Sequence, residues 1–195
     1  WETTGDAPSR VSYGASKGTR KVAEGGSIPG HEGSRIHHVQ LTGLRPDTTH
    51  YYSIDAKGDR GRTFRFRTPA PRERVKSFRF AVYSDTQSGP DAAKHTEVIN
   101  EGVIDFIKSE FGRVLPDELA FSLVPGDLVN TGSTYGQWKD QFFDEEQNLA
   151  QHVPLYPVPG NHEQDTHWFF DYFHLPENRS EEHTSELQSH SDLVC

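Results

Sequence analysis

The chain has 195 residues, enough for one large domain or two small ones, with 32% hydrophobic and 11% aromatic residues to fill a core. No run approaches the ~18 apolar residues of a membrane-spanning helix, and the only cysteine is the last residue, Cys195, so no disulfide forms within the chain. The net charge of -9 is unevenly placed: residues 1–75 carry 13 Lys+Arg against 8 Asp+Glu, residues 76–195 carry 7 against 21. The acidic part suits a cation-binding domain, and no basic nucleic-acid footprint is present. The sequence begins at Trp1 and contains no methionine, and is read as a fragment or a processed product.

Residues 1–69 read as short strands between turns: Val11–Tyr13, His38–Leu41, Tyr51–Ile54 and Thr63–Arg67. Their spacing suggests a β-sandwich. The stretch Leu44-Arg45-Pro46-Asp47-Thr48-Thr49-His50 resembles the corner of fibronectin type III modules, Leu-x-Pro-x-Thr-x-Tyr, with His50 in the place of the tyrosine. The corner hydrogen bond is then either lost or made by an imidazole. Trp1 resembles the core tryptophan of an early strand, which places the first strand before this sequence. A sandwich this small with an edge gone is marginal by itself. His31, His37, His38 and His50 are assigned to its surface or its corner.

Residues 70–77 are a linker, introduced by Thr68-Pro69-Ala70-Pro71. Phe78–Tyr83 then reads as a strand, and Asp91–Phe111 as a helix with Ile99, Val103, Phe106 and Ile107 on one face. Leu119–Val124 is the next strand, Tyr135–Gln151 a helix with Trp138, Phe142 and Leu149 inward, and Leu155–Val158 a third strand. This alternation implies crossovers and a largely parallel sheet.

Three motifs follow those three strands: Tyr83-Ser84-Asp85-Thr86-Gln87, Pro125-Gly126-Asp127-Leu128-Val129-Asn130 and Pro159-Gly160-Asn161-His162-Glu163. Open α/β sheets build sites at the carboxyl ends of their strands. Cleaving a phosphate ester needs a screened phosphoryl group and hydroxide near neutral pH, and a metal pair about 3.5–4 Å apart with a bridging carboxylate supplies both. Asp127 suits the bridge, Asp85 a terminal ligand of the first metal, and the Asn161 amide oxygen a ligand of the second. His162, from the same turn as Asn161, faces the substrate and protonates or stabilises the leaving oxygen.

Residues 78–178 resemble the first half of a calcineurin-like metallophosphoesterase, on the strength of Asp85, Gly126-Asp127 and Gly160-Asn161-His162-Glu163 in that order. With the fibronectin-like module ahead of them, they are similar to the purple acid phosphatase branch. The fold class expected is therefore α/β, a truncated metallophosphoesterase sandwich, preceded by a small all-β fibronectin III-like sandwich. The resemblance implies a phosphate ester hydrolase with metal ligands Asp85, Asp127 and Asn161 and catalytic His162. It also implies two divalent or trivalent metal ions of the Fe, Zn or Mn class, a small phosphorylated substrate, and secretion, a periplasmic place or the cell surface. The sandwich module is expected beside the active-site loops or in contact with a surface.

The sequence departs from that family twice. Gln87 stands where many members have the histidine of Asp-x-His; glutamine is a poor ligand for transition metals, and His95, early in the following helix, is the candidate to turn back and complete the first metal. The later histidines, including Gly-His-x-His, are not in the text, so this polypeptide is expected to be inactive and to lack half of a two-sheet core. Nor is there a tyrosine where purple acid phosphatases carry their colour-giving ligand, Tyr83 lying before Asp85. Arg179–Cys195 resembles the in-frame translation of a sequencing adapter and is read as an artefactual, disordered tail. The rival reading is a surface or adhesive binding protein whose fold has lost a full metal set, with Gln87 as the symptom.

Overall fold

The computed structural model describes residues 1–18, 21–55, 62–74, 77–87, 93–112 and 114–174, with the side chains of residues 93 and 94 left aside. The reading of Arg179–Cys195 as a tail lies outside the described residues, as do the first two residues of the helix expected from Asp91.

Seven strands make two antiparallel sheets in the N-terminal part. β1 (Glu2–Thr4), β5 (Ser34–His38) and β4 (Gly26–Pro29) form one, in that order. β3 (Lys21–Glu24), β2 (Arg10–Gly14), β6 (Thr49–Ile54) and β7 (Phe64–Arg67) form the other. Alternation puts Val11, Tyr13, Ile36 and Phe64 in the interior. The strand expected at His38–Leu41 ends at His38, because its neighbour β4 begins opposite at Gly26 and leaves Val39 onward unpaired. His50 makes the corner bond by imidazole: its Nε2–H donates to the Arg45 carbonyl five residues upstream, at 3.1 Å.

Beyond residue 77, β8 (Phe80–Val82), β9 (Phe121–Pro125) and β10 (Leu155–Val158) form a parallel sheet in the order β10-β9-β8. Helix α1 runs through residues 93–110, α2 is Leu115–Glu118, α3 covers 135–150 and α4 is His167–Tyr172. The middle of α1, Val98–Asp105, is wound as a π-helix. Its wider turn locally alters which side chains face the core. Ile99 and Ile107 face inward as expected and Val103 packs against them, but Ile104 joins them while Phe106, expected inside, is 53% exposed. Trp138, Phe142 and Leu149 of α3 are fully buried, as their spacing indicates.

Two apolar clusters lie between helices and sheet. One gathers Ile99, Ile107, Leu119 and Leu149; the other gathers Val124, Leu128, Trp138, Phe142 and Phe169, and Tyr83 packs against both. The opposite face of the sheet carries exposed Phe80, Val82, Tyr156 and Val158.

The β-module is bound to the α/β part by polar contacts. The Glu2 carboxylate accepts the hydroxyls of Ser34, Tyr135 (2.6 Å) and Tyr172 (3.0 Å). Tyr52 donates to the Gln151 carbonyl at 2.9 Å, and Arg67 bridges Asp47 and Asp117 at 2.8 and 2.9 Å. His31 stacks on Tyr135, which follows the Asp127 loop in sequence, with ring centroids 4.4 Å apart.

Candidate metal centre

The parallel sheet brings all three motif loops to one edge. Loop one is laced to loop two by backbone bonds: Asp85 N–H to the Gly126 carbonyl at 3.4 Å and Gln87 N–H to the Asp127 carbonyl at 3.3 Å. Loop two lies against loop three where two glycines meet. Gly126 has φ +93°, and a Cβ there would sit 2.8 Å from the Gly160 Cα. A Cβ on Gly160 would fall on the Asp127 side chain and 2.5 Å from its nitrogen. Any side chain at either position forces the loops apart, so the glycines that precede Asp127 and Asn161 are required by contact.

The carboxylates are presented from unusual backbone. Asp85 and Asp127 have φ of +56° and +54°, the left-handed region that short polar side chains tolerate best among non-glycine residues. Asp127 Oδ1 accepts the His162 N–H at 3.1 Å. Asp85 and Asn161 are exposed at the same edge, and Ser84 donates its hydroxyl to Asp85 Oδ2.

Glu163, the residue after the Asn-His pair, holds the arrangement from below. It is 0% exposed. Its Oε1 accepts the N–H groups of Leu128 (2.7 Å) and Val129 (3.2 Å), and its Oε2 those of Asp127 (2.9 Å) and Gly160 (2.6 Å). One buried carboxylate thus satisfies four backbone donors from two loops, which sharply curved loops cannot satisfy among themselves. Sequence reasoning quoted Glu163 as part of a motif and gave it no task. The available signal was a carboxylate in a loop that also held a candidate ligand and a candidate acid.

His162 is half-buried, with Nδ1 2.8 Å from the Asn130 carbonyl. A carbonyl only accepts, so Nδ1 carries the proton and Nε2 is the nitrogen left for a substrate. The His162 carbonyl accepts from Gly132 N–H at 2.9 Å, pinning the ring's backbone to the same loop.

His95 lies elsewhere in this network. It is buried, and its Nε2 is 2.9 Å from Glu146 Oε1. Tyr83 donates to the other oxygen, Oε2, at 2.9 Å. Burial, with the Glu146 carboxylate beside it, pushes the Tyr83 phenol far above its ordinary pKa of 10.0, so it is held as a hydroxyl and not as a phenolate. Only Nδ1 of His95 is left to serve as a ligand. Among the described residues no group of three or more His, Cys, Asp and Glu converges as a metal cluster. The edge instead combines two carboxylates, the Asn161 amide and a side-chain oxygen of Gln87 that is buried without a hydrogen-bond partner among the described residues. Oxygen donors of this kind, one of them orphaned, fit a hard or borderline cation.

Residues 78–191 match the family model of calcineurin-like phosphoesterases, and residues 1–68 match that of the purple acid phosphatase N-terminal domain. Purple acid phosphatase 18 of Arabidopsis thaliana is 28% identical over 165 residues, which cover 82% of this chain and 33% of the relative. Purple acid phosphatase 21 of the same plant is 27% identical over 133 residues, 68% of this chain and 25% of the relative. Among solved structures, purple acid phosphatase PPD1 from yellow lupin (Lupinus luteus) seeds superposes with a TM-score of 0.63 at 15% identity, covering 87% of this chain and 36% of that one. The chain thus spans a third or less of the curated relatives it matches, and the lupin structure shares its fold.

Proposed function

We propose, for a chain that belongs to the calcineurin-like phosphoesterase family and carries a purple acid phosphatase N-terminal domain, that it forms part of a metal-dependent hydrolase of phosphate esters. The observation that carries this reading is the lacing of the three loops. Backbone bonds join Asp85 to Gly126, Gly126 touches Gly160, and Asp127 holds the N–H of His162. Two cations would be held here by Asp127, serving both, with Asp85 for the first and Asn161 for the second.

Bound metals supply positive charge against the phosphoryl oxygens and acidify the attacking water. The chain's own residues do the rest. Asp127 keeps Oδ1 on the His162 N–H and leaves Oδ2 for the cations. Asn161 adds an oxygen without adding charge, so the edge does not repel an anionic substrate further. His162 holds one proton on Nδ1 against Asn130 and leaves Nε2 for the substrate; as the imidazolium it carries a second proton on Nε2, and that proton stabilises or passes to the departing oxygen. Glu163 fixes the spacing between the Asp127 and Asn161 loops from the dry side.

The resemblance implies further histidine ligands, Gly-His-x-His among them, that these 195 residues do not contain, and on this proposal they bind metal without catalysing. His95 has Nε2 committed to Glu146 and would join the first metal only through Nδ1. Export, implied by the family resemblance, remains part of the proposal; no helix among the described residues is long and apolar enough to cross a membrane.

The test is hydrolysis of p-nitrophenyl phosphate and bis-p-nitrophenyl phosphate by the full-length polypeptide, before and after chelation and metal return. Activity that disappears with chelator, returns with Mn²⁺, Zn²⁺ or Fe, and is absent in Asp127→Asn supports the reading. Chelator-resistant turnover, or none under any metal, refutes it.

A further inference from the structure

Gln87 has a side-chain oxygen that is fully buried and accepts no hydrogen bond among the described residues. Its backbone N–H is already spent on the Asp127 carbonyl, at 3.3 Å. The residue stands two positions after Asp85, in the loop tied to Gly126 and Asp127. A buried amide oxygen left without a donor is destabilising, and in a native fold such a group has a partner, an ion included. His95, the imidazole expected to complete the same site, has Nε2 occupied by Glu146.

We propose that Gln87 Oε1 is a ligand of the cation held by Asp85 and Asp127, so that the described loops offer this half of the centre oxygen donors alone. The inference rests on the phosphoesterase reading and names the metal class at its first position. Carboxylate and amide oxygens without imidazole suit Mn²⁺ or Mg²⁺, and they reduce the advantage that Zn²⁺ and Fe have at nitrogen-bearing sites. Gln87 is then a selector of metal and not a sign of decay.

The experiment uses the chain and three variants, Gln87→Leu, Gln87→His and Asp127→Asn, each checked for fold by circular dichroism. Mn²⁺ binding is read from the loss of the free-ion electron paramagnetic resonance signal, and Zn²⁺ binding by titration calorimetry. Gln87→Leu is expected to weaken Mn²⁺ roughly tenfold, the equivalent of about 1.4 kcal/mol. Gln87→His is expected to move the Zn²⁺-to-Mn²⁺ affinity ratio at least ~10-fold towards Zn²⁺. If both Gln87 variants bind as the parent does while Asp127→Asn loses Mn²⁺, the oxygen is satisfied by water and this inference falls, with the phosphoesterase reading intact. If Asp127→Asn also binds normally, or the parent binds no Mn²⁺ at all, both fall. Should Gln87→Leu fail to fold, the ratio in Gln87→His decides the matter.

Discussion

Replacing Glu163 by glutamine tests the core of the site without touching a proposed ligand. The two side chains have the same shape, but glutamine offers one oxygen where the carboxylate offers two. One pair of N–H donors, either Leu128 with Val129 or Asp127 with Gly160, keeps its acceptor. The other pair meets an NH₂ group, donor against donor, in a place that is 0% exposed. Hydrogen bonds to a charged group are worth about 1.5–3 kcal/mol each, so losing two costs about 3–6 kcal/mol. That is a large share of the roughly 5–15 kcal/mol that stabilises a typical domain. Urea unfolding followed by tryptophan fluorescence measures the whole loss. Amide hydrogen exchange at residues 126–130 separates local opening of the loops from global unfolding. A variant within about 1 kcal/mol of the parent, with unchanged exchange in those amides, would refute the claim that one carboxylate holds both loops.

Three other outcomes are expected. Gly126→Ala places a Cβ 2.8 Å from the Gly160 Cα at a φ of +93°; it should destabilise by about 2–4 kcal/mol and weaken Mn²⁺ binding in calorimetry. In the full-length polypeptide, His162→Ala should lower kcat by about 10²–10⁴ with unchanged metal content by elemental analysis; a parallel loss of metal would make it a ligand instead. His37 lies buried between the hydroxyls of Thr3 and Ser9, and burial, then the cationic groups around it, Arg35 among them, lower its pKa below 6.5. The unfolded chain therefore takes up this proton first, so the stabilisation is complete above about pH 6.5 and declines as pH falls towards the folded value. Denaturation midpoints at pH 7.5 and 5.5 should differ less in His37→Gln than in the parent; equal slopes would refute the assignment.

The site was legible in the sequence where it depends on local order. Each motif ends an apolar strand, and a glycine precedes Asp127 and Asn161 because the two turns touch. The strands follow from ordinary periods, and the inward row Trp138, Phe142, Leu149 holds although Trp138–Phe143 is wound as a π-helix. In α1 the inward places of Ile99, Val103 and Ile107 were legible, whereas Ile104 inward and Phe106 outward, at the π-wound stretch, had no distinctive residue to announce them. Contacts made across distance were also hidden. The donors to Glu163 around Asp127 lie 34 to 36 positions away, and Glu146 is 51 positions from His95. Only the folded chain shows that His95 Nε2 is occupied and that, among the described residues, Gln87 Oε1 is not.

Asp85 and Asp127 hold a backbone twist that suits glycine, at φ +56° and +54°. Each such residue costs the resting protein on the order of 1 kcal/mol. Natural selection for durability alone would then favour glycine at both positions, giving a tougher molecule with nothing to offer a cation. On the proposed reading, the two aspartates mark a conflict between endurance and reactivity, settled at this edge in favour of reactivity.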